Sequence, residues 1–220
     1  MKMTTKTIAL AFVAMGSASA ATITWDPVIV NTGAGDIITD GSLHSSSNSA
    51  GTTDQTVNGV TFTAEPGGPL GSNAAGTFYT TGSGVNTTGD AGLDAILNSH
   101  SYIPGGGSFD ITNLVPGNSY QIQIIGVGDT RTCCDNRNQQ FASPGDTPSG
   151  DLRRGDPSSV VGSFIADGPT QTIDVLVGSG VSSDPGVSGV QVRDLGAIPE
   201  PGTALLSLAG LIGLAIRRRR

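Results

Sequence analysis

The chain has 220 residues and a formal net charge of −7, but both lysines lie near its N-terminus and four arginines end it. Residues 21–198 carry five Arg, no Lys, sixteen Asp and one Glu, which gives this part a net charge of −12. Because binding to phosphate groups needs clustered Lys and Arg, this composition argues against nucleic acid and anionic membrane surfaces as partners.

The first twenty residues have the parts of a secretory signal peptide. A basic start precedes the apolar run Ile8–Met15, and the segment ends in Ala18-Ser19-Ala20. The apolar run is too short to cross a bilayer core of roughly 30 Å. The sequence therefore predicts export, with cleavage between Ala20 and Ala21. A buried N-terminal helix is the alternative.

Residues 21–198 are interpreted as one exported all-β domain. Short runs rich in Val, Ile, Thr and aromatic residues are separated by clusters of Gly, Asn, Asp, Pro and Ser, which is typical of antiparallel sheets. In several runs apolar and polar residues alternate, which predicts one buried and one exposed face. The predicted strands are Thr22–Trp25, Asp36–Thr39, Thr56–Ala64, Gly76–Thr80, Gly107–Thr112, Ser119–Gly126, Val160–Ala166, Gln171–Gly178 and Val187–Asp194.

One helix and two connections are predicted among these strands. Asp90–Asn98 has an aspartate that can cap its N-terminus, and its apolar residues share one face. The polar stretch Ser42–Gln55 is predicted to be an exposed loop, and Asn113–Asn118, with its Pro-Gly pair, a hairpin turn. Many strands and one short helix favour a jelly-roll-type antiparallel β-sandwich. The domain in this respect resembles bacterial galactose-binding-like modules, a resemblance of fold that implies no function.

The segment Asp129–Asp156 is the predicted functional surface. It holds four of the five arginines of the domain and both cysteines, and a loop of this length without regular structure is uncommon unless it is functional or disordered. Guanidinium groups bind carboxylates through two parallel hydrogen bonds, so the segment predicts a patch for acidic sugars such as uronates. The predicted ligand-binding residues are Arg131, Arg137, Arg153, Arg154 and the surface aromatic Tyr102. In the alternative interpretation the arginines only clamp the loop by pairing with its own aspartates.

The two cysteines, Cys133 and Cys134, are adjacent. In an exported protein with no other cysteine, the only intramolecular bridge is a vicinal disulfide. Free thiols or an intermolecular bridge are the alternatives. The spacing does not fit a zinc site, because the two histidines, His44 and His100, lie far away in the sequence. Both histidines are interpreted as incidental surface residues.

We expect the exported domain to be non-enzymatic and to need no cofactor or metal. The sequence lacks the motifs of serine hydrolases, zinc proteases and phosphate-binding loops. Calcium is left open because the domain is rich in Asp. Two alternatives to a carbohydrate-binding surface remain: a secreted glycan-active enzyme that uses Asp carboxylates, and a purely structural matrix protein without a discrete ligand.

The last 22 residues combine a short motif, an apolar stretch and a basic end. Pro199-Glu200-Pro201 precedes the apolar residues 202–216, and the chain ends in Arg217, Arg218, Arg219 and Arg220. As a helix the stretch is about 22 Å long, short for a permanent span, and the arginines favour a cytoplasmic end. In this order the features resemble the PEP-CTERM sorting signal of certain Gram-negative bacteria.

That resemblance implies processing by a membrane-embedded exosortase that recognises Pro199-Glu200-Pro201, in a setting of exopolysaccharide and biofilm production. The expected organisation is a signal peptide (1–20), an exported domain (21–198) and a sorting signal (199–220) with a transmembrane helix (202–216). We expect the chain to use the secretion machinery, to be anchored in the inner membrane before processing and then to reach the cell surface or the extracellular matrix. An ordinary single-span anchor that nothing cleaves is the alternative.

Overall fold

The computed structural model describes residues 20–71, 79–82, 87–180 and 183–198. These residues form fifteen strands, one α-helix, α1 (Ala91–Asn98), and short 3-10 turns at Ala34–Asp36 and Pro69–Gly71. The strands are β1 (Thr24–Trp25), β2 (Ile29–Val30), β3 (Ser42–Ser49), β4 (Gln55–Val57), β5 (Val60–Glu65), β6 (Tyr79–Gly82), β7 (Ser99–Tyr102), β8 (Gly107–Thr112), β9 (Asn118–Ile125), β10 (Asn138–Ala142), β11 (Leu152–Arg153), β12 (Ser158–Ile165), β13 (Thr170–Val177), β14 (Gly186–Val187) and β15 (Gly189–Ala197).

Two sheets pack face to face and enclose the main core. The larger sheet has the strand order β1-β12-β9-β15-β3-β5-β4, with β2 added on β12, and the smaller has the order β11-β10-β13-β8. Tyr120 and Ile122 from the larger sheet and Phe109 and Ile173 from the smaller are fully buried in one cluster. The alternation along each strand therefore places one apolar face in the shared interior. The all-β class and the β-sandwich are confirmed.

A third sheet, of order β14-β7-β6, and helix α1 lie beside the sandwich. The helix begins as predicted, since the Asp90 carboxylate accepts a hydrogen bond from the backbone N–H of Leu93 at 2.8 Å. Its apolar face packs with Phe62 and Ile125 in a second buried cluster. Strand β7 follows the helix directly, and it carries two residues of the site described below.

The prediction that Ser42–Gln55 is an exposed loop is wrong. Its first part is β3, an interior strand that pairs antiparallel with β15 and parallel with β5. Ser47 and Ser49 are fully buried, and the Ser47 hydroxyl accepts a hydrogen bond from the backbone N–H of Leu70 at 3.2 Å. Small hydroxyl side chains tolerate burial when they are hydrogen-bonded, so the polar composition of this segment did not indicate exposure. The parallel pair means that the sandwich is not wholly antiparallel, and the jelly-roll connectivity stays a prediction.

The segment Asp36–Thr39 does not form the predicted strand. It crosses the outer face of the larger sheet, where buried glutamines bind its backbone in place of a neighbouring strand. Gln123 Oε1 accepts from the Ile38 N–H at 3.1 Å, and Gln191 Nε2 donates to the Ile38 carbonyl at 3.0 Å. These bonds satisfy backbone groups that would otherwise be buried without partners.

Other predicted elements differ in extent. Thr56–Ala64 is a hairpin of β4 and β5, because Asn58 and Gly59 both have positive φ, as a tight two-residue turn requires. Asn113–Asn118 is not a hairpin turn, since it carries the chain from β8 in the smaller sheet to β9 in the larger one. Of Gly76–Thr80, only the last two residues fall in the described part, where they begin β6. The other predicted strands match to within a few residues.

Most of the predicted signal peptide and the whole predicted sorting signal lie outside the described residues. This applies to residues 1–19 of the signal peptide, to Pro199-Glu200-Pro201, to the apolar stretch 202–216 and to the tail 217–220. Within the described ranges no helix is long and apolar enough to cross a membrane. Ala21, the predicted first residue after cleavage, is buried, and its N–H donates to Gln171 Oε1 at 2.9 Å.

Candidate functional site

The segment Asp129–Asp156 is more regular than predicted. It contains β10, which pairs with β13, and β11, which pairs with β10 at the edge of the smaller sheet. The expectation of 28 residues without regular structure is therefore wrong. The arginines and cysteines lie in the turn before β10 and at the end of β11, so two turns carry the predicted site.

These two turns meet strand β7 and the residues before β14 around a cavity of about 190 Å³. Strand β7 (Ser99–Tyr102) begins directly after α1 ends at Asn98, and β14 pairs antiparallel with it. The cavity is lined by His100, Tyr102, Arg131, Cys133, Cys134, Arg137, Arg154 and Asp184. Three of the four predicted arginines, Tyr102 and both cysteines are thus brought together.

Backbone hydrogen bonds hold the two turns against each other. The Arg154 N–H donates to the Arg137 carbonyl, and the Gly155 N–H to the Asp135 carbonyl, both at 2.9 Å. A Cβ at Gly155 would lie 2.7 Å from the Asp135 carbonyl oxygen, so glycine permits this close approach. The backbones of Arg137 and Arg154 are therefore held together by a bond that does not involve their guanidinium groups.

The predicted vicinal pair is present, with Cys133 and Cys134 joined by a disulfide in the turn before β10. The same turn is closed by the Cys134 N–H, which donates to the Arg131 carbonyl at 2.8 Å. Both cysteines lie in the cavity wall, and Cys134 is buried. The disulfide therefore forms part of the surface that a ligand would meet.

Two of the cavity arginines are already paired with carboxylates. Arg131 donates from Nε and Nη2 to the two carboxylate oxygens of Asp129 at 2.9 and 2.7 Å. Burial acts to raise the pKa of Asp129, but its bonds with Arg131 outweigh this and hold the pKa below the usual value. Arg137 donates from Nη1 to Asp184, which lies outside the predicted segment. Among the cavity arginines, the clamp interpretation therefore describes Arg131, whereas Arg137 ties the segment to a residue 47 positions away in the sequence.

Arg153 is not part of the cavity. Its guanidinium lies 3.7 Å from the Asp135 carboxylate and 3.9 Å from that of Asp156, and its side chain is about half exposed. Such exposed pairs contribute roughly 0–1 kcal/mol. The structure thus separates two adjacent arginines that the sequence analysis had placed in one ligand patch.

Arg154 is the unusual residue of the site. It is only 2% exposed, and within the described part of the chain its Nε and Nη2 donate no hydrogen bond. Burial lowers its pKa well below the usual value, to about 10, while Asp129 acts in the opposite direction. The group is still cationic at neutral pH. The three guanidinium groups and two carboxylates that line or adjoin the cavity leave one net positive charge.

His100 and Tyr102 form the wall on the β7 side. The interpretation of His100 as a surface residue is wrong, because it is fully buried. Burial first, and then the charge of Arg154, lower the pKa of His100 to about 3, so the imidazole is neutral at physiological pH. Tyr102 is half-buried, with its ring centroid 6.3 Å from that of His100.

Sequence reasoning missed His100 and Asp184 as members of the site. Asp184 lies 47 residues from its partner Arg137, and no local pattern joins the two. The pairing of β14 with β7 is what brings Asp184 to the cavity. No cluster of His, Cys, Asp or Glu suited to a metal ion occurs among the residues that the structure describes. Calcium stays an untested alternative.

Residues 197–220 match the family model of the PEP-CTERM protein-sorting motif. The C-terminal residues thus carry this sorting motif, as predicted, and it implies exosortase-dependent export to the cell surface. Exosortase is the partner that this motif indicates. The match covers the last 24 residues and gives no information on the domain before them.

A comparison with curated protein sequences found no match. Among solved structures, the extracellular domain of ANXUR1 from Arabidopsis thaliana is similar, with a TM-score of 0.49 and 13% identity over 72% of this chain and 51% of that one. The plant receptor-like kinase FER has a TM-score of 0.46 and 12% identity over 69% and 49%. Bacteroides uniformis β-glucuronidase has 0.42 and 17% over 68% and 18%. This chain spans about half the length of the two plant chains, and these likenesses carry no functional information.

Proposed function

We propose that the chain is a non-enzymatic cell-surface or extracellular-matrix protein, associated with exopolysaccharide or biofilm, whose arginine-lined cavity binds acidic polysaccharide. The observation that carries this proposal is Arg154, a buried cation in a cavity wall with two donors unused. The resemblance of the domain to galactose-binding-like modules is likewise part of this proposal. The sorting motif supports the location.

An unpaired guanidinium in a protein interior is unfavourable, because burial removes its hydration. The other buried arginine of the described residues, Arg193, has partners for the same two groups. Arg193 Nε donates to the Asp40 carbonyl at 2.9 Å, and Nη2 donates to those of Thr39 and Gly41 at 2.6 and 2.7 Å. The contrast supports a role for the positive charge of Arg154 at the cavity wall.

The electrostatics of the cavity favour binding over glycoside hydrolysis. A hydrolase of this kind needs a carboxylic acid whose pKa is raised so that it is protonated before it acts. Asp129 and Asp184 both accept hydrogen bonds from arginines, and the pKa of Asp129 is lowered. An acid of the required kind would have to come from another part of the domain.

The experiment is retention on an immobilised acidic polysaccharide, with a neutral polysaccharide as the reference column. The exported protein is purified from cells that express the full chain. Since the domain carries a net charge of −12, general electrostatics repel a polyanion, and retention requires a local site. We expect the parent to be retained on the acidic column alone.

Two variants at adjacent positions make the test specific. Arg154→Gln should abolish retention, whereas Arg153→Gln removes the same charge from an exposed position and should leave retention unchanged. A parent that is not retained would contradict the binding function and favour a purely structural matrix protein. Release of new reducing ends from the column would instead favour the glycan-active enzyme.

A further inference from the structure

We propose that the end of the sandwich at which the chain leaves β15 is a membrane-contact surface. While the protein is anchored, exposed apolar side chains at this end lie in the interfacial layer of a zwitterionic bilayer. The inference rests on the membrane anchoring that the sorting motif indicates, and not on the arginine-lined cavity.

Exposed apolar side chains collect at this end of the larger sheet. Strand β9 begins here and β12 and β15 end here, since Ser119 pairs with both Ile165 and Gly196. Eight large apolar residues are exposed in the described part of the chain, and five of them form what we call the apolar end: Leu43, Val115, Ile165, Leu195 and Ile198. Single exposed apolar residues are ordinary, but a cluster of them indicates an interaction surface.

Both predicted connections to the membrane join the domain at one groove of this end. Ala21, Phe164, Ile165 and Ile198 line this open groove of about 510 Å³. Ala21 is the predicted first residue after the signal peptide, and Ile198 is the last described residue before the sorting motif. The groove therefore faces the bilayer during export and while the chain is anchored.

The connection to the predicted membrane helix is short. Only Pro199-Glu200-Pro201 separate Ile198 from the apolar residues 202–216. Three extended residues span at most roughly 11 Å, so an anchored domain keeps the groove within about this distance of the bilayer surface. Interfacial segments bury apolar side chains roughly 5–10 Å into the boundary between headgroups and acyl chains. The short connection thus permits this contact and holds the groove next to the lipid.

The charges at this end do not attract anionic lipid. The Asp146 carboxylate accepts a hydrogen bond from the Thr22 hydroxyl at 3.4 Å, and Asp167 and Asp194 lie just after β12 and on β15. The exported domain has no lysine, and the guanidinium group of Arg193 binds backbone carbonyls. The contact therefore depends on apolar side chains, and salt should not weaken it.

Contact at the apolar end leaves the arginine-lined cavity facing away from the bilayer. Strand β13 begins near the apolar end, where the Leu114 N–H donates to the Pro169 carbonyl at 3.0 Å. It ends at Val177, which pairs with Gln139 at the start of β10, directly after the turn that carries the cysteines. An eight-residue strand is roughly 25 Å long, so the two surfaces lie at opposite ends of the sandwich.

The test uses the full chain reconstituted in phosphatidylcholine vesicles with brominated acyl chains, which quench tryptophan on contact. The parent has one tryptophan, Trp25, and gives the background. Ile165→Trp and Leu195→Trp place a reporter in the apolar end, and Val177→Trp is the matched control at an exposed strand end on the opposite side. We expect a loss of fluorescence beyond the background in the first two variants only, and no effect of added salt.

A further pair of variants separates side-chain contact from tethering. In the Leu195→Trp chain, Ile165→Glu should abolish the additional loss of fluorescence, because a carboxylate is unfavourable among acyl chains. In the same chain, Val177→Glu adds the same charge at the opposite end and should leave the loss unchanged.

Hydrogen exchange of the unmodified protein provides a measurement that needs no variant. The connection Asn113–Asn118, which carries Val115, should exchange more slowly in the anchored full chain than in the processed and released protein. Exchange in β10, at the opposite end, should be the same in both forms.

The outcomes decide between lipid, a protein partner and a tethered domain without contact. Equal fluorescence loss in all three tryptophan variants, or loss in none, would overturn the proposal, as would a loss that persists after Ile165→Glu. If exchange at Asn113–Asn118 slows only after an exosortase is added to the vesicles, the apolar end binds that protein and the lipid contact is wrong. Retention on the acidic polysaccharide column does not depend on any of these results, so the two proposals can fail separately.

Discussion

Replacing Arg154 by methionine should stabilise the protein in the absence of ligand, although most substitutions of buried residues destabilise. The side chain is 2% exposed, and burial lowers its pKa well below the usual value, to about 10. At about 1.36 kcal/mol per pKa unit, the charged form is disfavoured in the folded state by on the order of 3 kcal/mol. Methionine fills a similar space without a charge. The lowered pKa already includes the attraction to Asp129 and Asp184 and the repulsion by Arg137 and Arg131, so we expect a net gain of about 1–3 kcal/mol.

The pH dependence follows from the sign of this shift. The folded state releases the Arg154 proton at a lower pH than the unfolded state, so the parent gains stability as the pH rises above about 10. Below that pH the unfavourable interaction is fully present in the parent and absent from the variant. The advantage of Arg154→Met is therefore largest at neutral pH and shrinks above about pH 10.

Urea unfolding at neutral pH, without sugar, measures the difference. Arg193→Met is the matched control, because the donors of Arg193 bind three backbone carbonyls. Its loss should lower the free energy of unfolding by about 2–4 kcal/mol. If Arg154→Met were destabilised by a similar amount, Arg154 would be a structural residue and the argument from its unused donors would be refuted.

Two further predictions concern sorting and pH. Replacing Glu200 by alanine should leave unprocessed protein in the inner membrane, because it alters the motif that an exosortase recognises. Cell fractionation and mass spectrometry would detect the unprocessed protein. Unchanged surface release would point to a plain anchor or another protease. Because the pKa of His100 is lowered to about 3, retention on the acidic polysaccharide column should be constant from about pH 5 to pH 8. A change in retention near pH 6.5 would show that His100 titrates there.

The strands and the helix were predictable where the information is local. Alternation along β9 and β13 reports the environment of each strand directly, and Asp90 precedes the helix that it caps. The prediction for Ser42–Gln55 was wrong because the information there is not local. Its serines are buried because β15 and β5 lie on either side of β3, and nothing within the segment encodes those neighbours.

The candidate site was predictable in composition but not in geometry. The concentration of arginines in Asp129–Asp156 pointed to the correct turns. Arg153 ends the short strand β11 and is about half exposed, whereas Arg154 follows the strand in a turn and is buried, and the sequence analysis predicted no strand here. The roles of His100 and Asp184 required the pairing of β7 with β14, which depends on the complete fold.

The two buried arginines show why burial alone does not identify a binding residue. Arg193 is 7% exposed, but the carbonyls of the segment that crosses the sheet satisfy Nε and Nη2, so its burial is explained by the fold. Arg154 is buried more deeply, and its backbone is held by Arg137 while the same two donors stay unused. Water cannot reach these donors well enough to replace a partner, and the nearby carboxylates of Asp129 and Asp184 already bind other arginines. Nε and Nη2 of Arg154 are therefore closed to the cavity as well, and what distinguishes Arg154 from Arg193 is a buried positive charge at the cavity wall that these two groups do not stabilise by hydrogen bonds.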